Sequence, residues 1–220
     1  PSSAASDVYK RQIRSGAAAA AYLERLRQIF LFTEVSDAKM EEGSMRCDVN
    51  VSIRPYGSEK FGTRTEIKNL NSISNVQKAI EFEVARQEKV LISGGEVLQE
   101  TRRYDEDSKE TVVMRAKGDA VDYKYYPEPN ILPIRLNHQW VEGIIERIPE
   151  MPESRVARYI NEYKIPKTDA LILVQTKEVS DFFDATVAYT KHYKIASNWL
   201  LGEVQAVSYT HLTLPTTERV

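Results

Sequence analysis

The sequence predicts an α+β protein in which an antiparallel sheet is covered by helices on one face and is followed by an all-helical domain. Two observations predict this class. In the first half of the chain the hydrophobic pattern runs helix, two strands, helix, two strands. After residue 136 the pattern is helical throughout, with Pro149, Pro152 and Pro166 separating the helical stretches.

The first helix is predicted over residues 17–33, where Leu23, Leu26, Ile29 and Phe30 follow helical spacing and charged residues lie largely opposite. Two strands are predicted next, because apolar and polar residues alternate over 45–54 and again over 63–69. The stretch between them contains a proline and two glycines, as a connecting loop does. We interpret the two strands as a hairpin.

A second long helix follows, capped by Ser72 or Ser74 and ended by the Gly94-Gly95 pair. Residues 97–106 and 110–117 form a second predicted hairpin. The apolar stripe predicted to pack the long helix on the sheet is Val76, Ala79, Ile80, Phe82, Val84, Val90 and Leu91.

The second half of the chain is separated by residues 122–134, which contain three prolines and three tyrosines and are predicted to mark a boundary. Tyr123, Tyr125 and Tyr126 in this stretch suit either stacking on a nucleotide base or packing of a domain junction. Helices are then predicted at 138–148, 152–163, 177–191 and 195–206.

The two ends of the chain differ from the rest. Residues 1–12 and 207–220 show no helical stripe, and they resemble translated sequencing adapter of the kind that flanks fragmentary gene models. We interpret them as non-native tails, with a pair of disordered tails as the alternative. The native segment then comprises one domain over 13–136 and the start of a helical domain over 137–206.

Composition is that of an ordinary globular protein, with 42% hydrophobic and 28% charged residues among 220. Lysine and arginine number 30 against 32 aspartates and glutamates, so a polyanion would have to bind through a local patch. The single cysteine, Cys47, excludes an intramolecular disulfide and lies on the apolar side of its strand, which favours a buried thiol. With no apolar run of membrane-spanning length, we expect a cytoplasmic protein.

Period two assigns the polar side chains of the first two strands to one surface. A solvent-facing sheet with ion pairs worth about 0.2–1 kcal/mol each is the plain interpretation of that surface. Asp and Asn are poor strand formers, however, and the turn after the second strand leads into a helix N-terminus, where an anion can bind. Carboxylates among cations suit Mg²⁺ with phosphate. The surface comprises Arg46, Asp48, Asn50, Arg54, Arg64, Glu66 and Lys68, with Arg102 or Arg103, and Arg115, as possible extensions.

Long motifs occur in order along the chain: KMEEGSMRCDVNVS at 39–52, RPYGSEKFGTRTEIKNLNS at 54–72, QETRRYDE at 99–106 and MRAKGDAVDYKYYPEP at 114–129. QTKEVSDFF and SNWLLGEV continue them in the helical half. Together these motifs resemble the B subunit of the bacterial aspartyl/glutamyl-tRNA(Asn/Gln) amidotransferase. The resemblance covers about residues 13–206.

The resemblance implies a carbon–nitrogen ligase with glutamine as amido donor. In that family, the B subunit binds misacylated Glu-tRNA(Gln) or Asp-tRNA(Asn), and ATP phosphorylates the side-chain carboxylate in the presence of Mg²⁺. Ammonia from the glutaminase or A subunit then displaces phosphate, and the small C subunit completes a heterotrimer. The resemblance also implies that residues up to 136 belong to a cradle domain and that the helical domain contacts the tRNA body.

By the same resemblance, Asp48 and Glu66 correspond to metal-ligand carboxylates. Lys68 is assigned to the catalytic group, and binding of phosphate or the acyl end is assigned by position to Lys68, Arg46, Asn50 and Asn69. The family's other metal ligands, its zinc knuckle and its C-terminal tail have no counterpart in this sequence, so we expect the chain alone to be inactive. A scaffold that docks the tRNA acceptor end without catalysis is the alternative. A third possibility is the archaeal Glu-specific relative of this family, which has similar motifs.

Overall fold

The computed structural model describes residues 13–116, 130, 132 and 134–207. They contain both helices and a four-stranded sheet, so the α+β class is confirmed. None of the helices in these residues is long and apolar enough to cross a membrane. In chain order the elements are α1 Gly16–Phe32, β1 Val49–Val51, β2 Thr65–Lys68, α2 Ile73–Ile92, β3 Glu100–Asp105, β4 Glu110–Ala116, α3 His138–Ile145, α4 Pro152–Asn161, α5 Lys167–Leu173, α6 Lys177–Val187, α7 Tyr193–Trp199 and a π-helical segment Leu200–Val204.

Contacts divide the chain into two compact units. The first contains the chain up to Arg27 and Asp37–Arg135, and the second contains Gln28–Ser36 and the chain from Leu136 onward. The end of α1 therefore belongs with the C-terminal helices, which the hydrophobic pattern does not show. The predicted tails lie outside the described residues, apart from residue 207.

The sheet is mixed, so the predicted all-antiparallel sheet is wrong. Its strand order is β1-β2-β3-β4, with antiparallel outer pairs and a parallel pair β2/β3 at the centre. The 20 residues of α2 connect β2 to β3. A helix of this length carries the chain back to the end of the sheet at which β2 began. Strand β3 therefore starts at that end and runs parallel to β2.

The first two strands are shorter than predicted. Only Val49–Val51 and Thr65–Lys68 form the ladder, in a register that pairs Val49 with Ile67 and Val51 with Thr65. After Lys68 the chain turns at Asn69, whose φ of 59° is left-handed. Residues before 48 therefore have no β2 neighbour with which to pair.

Helix α2 packs on β1 and β4. Ser72 caps its N-terminus, and the Ser72 hydroxyl accepts a hydrogen bond from the amide of Asn75. The predicted apolar stripe is only half right. Val76 and Ala79 are buried as predicted, but Val84 and Leu91 are exposed. The buried face continues instead through Glu83 and Gln87.

A hydrogen-bond network therefore replaces apolar packing at this end of the helix. Arg86 donates to both carboxylate oxygens of Glu83, at 2.9 and 2.7 Å. Gln87 donates to Glu83 and to the Val51 carbonyl in β1, at 2.9 and 3.2 Å. Thr111 in β4 donates to Glu83 at 2.8 Å. Burial alone would raise the pKa of Glu83, but hydrogen bonds from Arg86, Gln87 and Thr111 outweigh it and lower that pKa.

The second unit has its own apolar core, which includes the fully buried Phe32 from the end of α1. The guanidinium of Arg155 lies 5.4 Å from the Phe32 ring and donates to the Ser180 hydroxyl at 2.7 Å. Helix α5 was not predicted, because seven residues with only Ala170 and Leu173 buried are too few to show a period. The other members of this core are Tyr159, Ile165, Ala170, Leu173, Val174, Phe183 and Leu200.

The lowered pKa of Glu83 predicts a defined loss of stability in acid. The unfolded glutamate, with a pKa of about 4.5, takes up a proton more readily than the folded one. The free energy of unfolding should therefore fall as the pH drops below 4.5 and through the folded-state pKa. The variant E83Q should show a smaller fall over the same range, and it should be roughly 1–3 kcal/mol less stable than wild type at neutral pH.

Denaturant unfolding followed by circular dichroism between pH 7 and pH 3 measures both quantities. The control is E88Q, which neutralises an exposed glutamate on the same helix and should keep the wild-type pH dependence. An E83Q protein with the wild-type pH dependence would contradict the assignment of the acid sensitivity to Glu83.

Candidate functional site

The alternation predicted for the first strand is visible in its burial. Met45 and Val51 are buried, whereas Arg46, Asp48 and Asn50 are exposed. On β2, Thr65 and Ile67 are buried toward the helix side, and Glu66 and Lys68 are partly exposed. Register pairs Asn50 directly with Glu66. The face of the sheet opposite α2 therefore presents the polar side chains of both strands.

Two carboxylates converge on one ammonium group on this open face. The Lys68 Nζ atom lies 3.8 Å from an oxygen of Asp48 and 3.7 Å from an oxygen of Glu66. The side chains are 56% exposed for Asp48, 36% for Lys68 and 16% for Glu66. Two carboxylates this close to a common point repel each other, and a cation between them offsets that repulsion. The two carboxylates therefore form a site for a positive charge, which in this structure is the Lys68 ammonium.

The third strand contributes one side chain that sequence reasoning missed, Thr101, and one that it considered, Arg103. Thr101 is the register partner of Glu66, and its hydroxyl donates to Glu66 Oε2 at 3.0 Å. Arg103 is exposed, pairs in register with Lys68 and lies 3.2 Å from Asp105. The parallel β2/β3 pairing brings these residues alongside the first two strands. The arginine was considered in the sequence as an extension of the surface, but the threonine carries no charge and gave no signal.

Arg102 lies on the opposite side of the sheet. It is buried, and it donates to the Thr111 hydroxyl at 2.9 Å and to the carboxylate of Glu100. Arg54 is also absent from the site, because it donates to the Glu59 carbonyl at 2.8 Å and its guanidinium lies 4.6 Å from the Phe61 ring. The side chain of Arg115 lies outside the described residues.

Asn69 forms the turn between the site and helix α2. Its φ of 59° is left-handed, a conformation that asparagine tolerates better than most residues. Ser72, three residues later, caps helix α2 by accepting a hydrogen bond from the Asn75 amide. Its hydroxyl therefore stabilises the helix N-terminus. Asn69 is exposed beside Lys68, and a role for its amide in binding remains a prediction.

The carboxylates suit a hard divalent cation. Mg²⁺ typically takes one or two protein carboxylates and completes its shell with water and phosphate oxygens, and Asp48 with Glu66 supplies that number. Within the described residues, no group of three or more His, Cys, Asp or Glu side chains is placed to hold a metal. Two carboxylates nevertheless match the oxygen chemistry of Mg²⁺, and water and phosphate oxygens would have to supply the rest of its shell. Metal binding itself remains a prediction.

Cys47 precedes the site and is partly buried. Burial and the charge of Asp48 raise the pKa of its thiol. A thiol with a raised pKa is a poor nucleophile, because the thiolate is the reactive form. Its environment therefore favours a structural thiol over a nucleophile.

Residues 8–142 match the family model described as the GatB/GatE catalytic domain. The chain belongs to this family. The match contains every strand of the mixed sheet and every residue of the open face. The aspartate, glutamate and lysine that converge on this face thus lie inside the region that defines a catalytic domain.

Curated relatives give the same result. The chain is 57% identical over 199 residues to the B subunit of the aspartyl/glutamyl-tRNA(Asn/Gln) amidotransferase of Ligilactobacillus salivarius. It is 55% identical over 199 residues to the subunit of that name from Enterococcus faecalis, and 52% over 204 residues to the one from Oceanobacillus iheyensis. These alignments cover 90–93% of this chain and 42–43% of the relatives. The chain therefore spans about two fifths of their length.

Proposed function

We propose that this chain is part of the B subunit of a cytoplasmic tRNA-dependent amidotransferase. Its proposed substrates are Glu-tRNA(Gln) or Asp-tRNA(Asn) and ATP, and its proposed partners are the glutaminase or A subunit and the small C subunit. The family membership supports the general role. The observation that carries the proposal for the site is the convergence of Asp48 and Glu66 on the Lys68 ammonium.

The chemistry requires a site of this composition. A carboxylate is a poor electrophile, and phosphorylation by ATP converts it to an acyl phosphate that ammonia can attack. Such phosphoryl transfer needs positioning and charge compensation more than it needs a nucleophile. A Mg²⁺ ion held by Asp48 and Glu66 would supply positive charge to the phosphates when bound.

The neighbouring side chains then have defined tasks. Lys68 is a compact cation with three donors, suited to a phosphoryl oxygen or the substrate carboxylate. The Asn50 amide, in register with Glu66, can donate to the same groups without adding charge. Arg46 is exposed two residues before Asp48 and can bind a phosphate by two parallel hydrogen bonds.

A basic groove in the helical unit suits the proposed contact with the tRNA body. Tyr163 stacks on Tyr193 with ring centroids 4.3 Å apart. The groove is lined by these two rings together with Lys164, Lys191, His192, Lys194 and Ile195. The chain as a whole has a net charge of −2. Binding of the tRNA phosphates therefore requires a local cluster of positive side chains such as this one.

The metal-ligand assignment predicts separate effects on chemistry and binding. In the assembled amidotransferase whose B subunit carries this sequence, D48N and E66Q should each abolish ATP-dependent phosphorylation of the aminoacyl group. Both should leave tRNA affinity nearly intact, because neither carboxylate attracts the polyanion. Transfer of ³²P from γ-labelled ATP and filter binding of Glu-tRNA(Gln) measure the two effects.

The matched control for charge is D105N, which removes a partly exposed carboxylate from β3 outside the Lys68 cluster. It should retain phosphorylation. A D48N or E66Q enzyme that phosphorylates bound tRNA normally but binds tRNA poorly would favour the scaffold function instead.

The basic groove predicts a salt-dependent loss of tRNA binding. The double charge reversal K191E/K194E should weaken tRNA affinity at low salt and reduce the slope of log affinity against log salt by about 1 per lysine. The glutaminase activity of the complex should not change. Fluorescence anisotropy of labelled tRNA over a salt series measures the slope.

The control is K78E/K89E, which makes the same charge change on exposed positions of α2 in the other unit. A K191E/K194E complex with the affinity and slope of this control would remove the groove from the tRNA interface.

A further inference from the structure

We infer that Thr101 is a positioning residue that fixes the orientation of the Glu66 carboxylate. This inference rests on the proposed function, because it takes Glu66 to be one of the two cation ligands. Thr101 is 2% exposed and its hydroxyl donates to Glu66 Oε2 at 3.0 Å. The other oxygen, Oε1, is the one that lies 3.7 Å from Lys68 Nζ. Thr101 thus holds one carboxylate oxygen of Glu66, and the other oxygen faces the Lys68 ammonium.

The backbone makes this hydrogen bond a rigid one. Thr101 and Glu66 are register partners in the parallel β2/β3 pair, so the two side chains leave adjacent strands on the same face. The last torsion of a glutamate is broad and roughly two-fold, and a carboxylate without a fixed partner samples many orientations. A buried hydroxyl on a neighbouring strand selects one of them. The carboxylate plane is then set before a cation arrives, as hydrogen-bonded carboxylate ligands commonly are in metal sites.

The pairing of β3 with β4 shifts its register between Thr101 and Arg102. Irregularities of this kind re-aim side chains and are common next to active sites. Here the two neighbours serve opposite faces, with Thr101 on the open face and Arg102 in the network under α2. The shift therefore lies directly beside Thr101, in the strand that supplies this threonine to the open face.

The opposite face provides a matched comparison. Thr111 is also 2% exposed, and it donates to the buried carboxylate of Glu83 at 2.8 Å. Both pairs join a β-strand threonine to a glutamate, but Glu83 is sealed under the helix with Arg86 and Gln87 as further donors. A hydroxyl that serves only the fold should behave like Thr111. A hydroxyl that positions a ligand should also alter cation binding.

The experiment measures Mn²⁺ affinity of the assembled amidotransferase by electron paramagnetic resonance, without tRNA or ATP. Mn²⁺ is used because it accepts the oxygen ligands and octahedral geometry of Mg²⁺. T101V should weaken Mn²⁺ binding by about tenfold or more, the range found when a ligand's hydrogen-bond partner is removed. T101S keeps the hydroxyl and should stay within about threefold of wild type. T101A removes the hydroxyl with less bulk and should match T101V, which keeps the test valid if valine does not fit the strand.

T111V removes one donor to Glu83 and leaves those from Arg86 and Gln87 in place. It should therefore lower the melting temperature but keep the placement of α2 on the sheet, and Mn²⁺ affinity should be unchanged. Wild-type Mn²⁺ affinity in T101V and T101A, or an equal loss in T111V, would overturn the positioning role. E66Q separates this result from a failure of the proposed function. If E66Q weakens Mn²⁺ binding while both Thr101 variants bind normally, only the positioning role is wrong. If E66Q binds Mn²⁺ like wild type, the ligand assignment is wrong and the positioning role is rejected with it.

Discussion

A buried carboxylate, Glu83, is the constraint on which the geometry of the first unit depends. It is fully buried between α2 and the sheet, and its hydrogen bonds reach Arg86 and Gln87 on the helix and Thr111 on β4. A buried charge that loses a partner destabilises a protein by about 3–5 kcal/mol, so helix and sheet must keep one relative placement. Because α2 follows β2 after a short turn at Asn69, that placement also fixes the end of β2, where Glu66 and Lys68 lie.

The sheet thus has two polar faces with different purposes. Under α2, the acids and bases are buried and satisfy one another, as Arg102 does with Glu100 and Glu83. On the open face, Asp48 and Lys68 are accessible to solvent, whereas Glu66 and Thr101 are mostly covered. The closed network contributes rigidity, and the open cluster is accessible to the cation and phosphate that we propose it binds. The proposed phosphoryl transfer would benefit from this combination, since its catalysis depends on charges held in place before the substrate arrives.

Much of the open face could be predicted from the sequence, because period two is a strong signal. It places Asp48 and Asn50 on the same side as Glu66 and Lys68, and the ion pairs and the strand register agree with this. Arg46 is exposed but lies before the ladder, so its place on this surface stays a prediction. The signal fails where tertiary structure decides. Glu83 and Gln87 interrupt an apolar stripe, and charged residues at such positions are normally solvent-exposed. The parallel β2/β3 pairing depends on the route of α2, which no local pattern records. Thr101 is an ordinary strand residue, and only its register with Glu66 shows its importance.

We propose that Asp48 and Glu66 share one divalent cation. Crystals of the assembled amidotransferase soaked in Mn²⁺ test it directly, because anomalous scattering locates the ion independently of any assumed ligand. We expect one Mn²⁺ peak with a carboxylate oxygen of both residues at about 2.2 Å and with Lys68 Nζ outside the coordination shell. A Mn²⁺ peak bound by neither carboxylate, or by only one with the other still paired to Lys68, would contradict it.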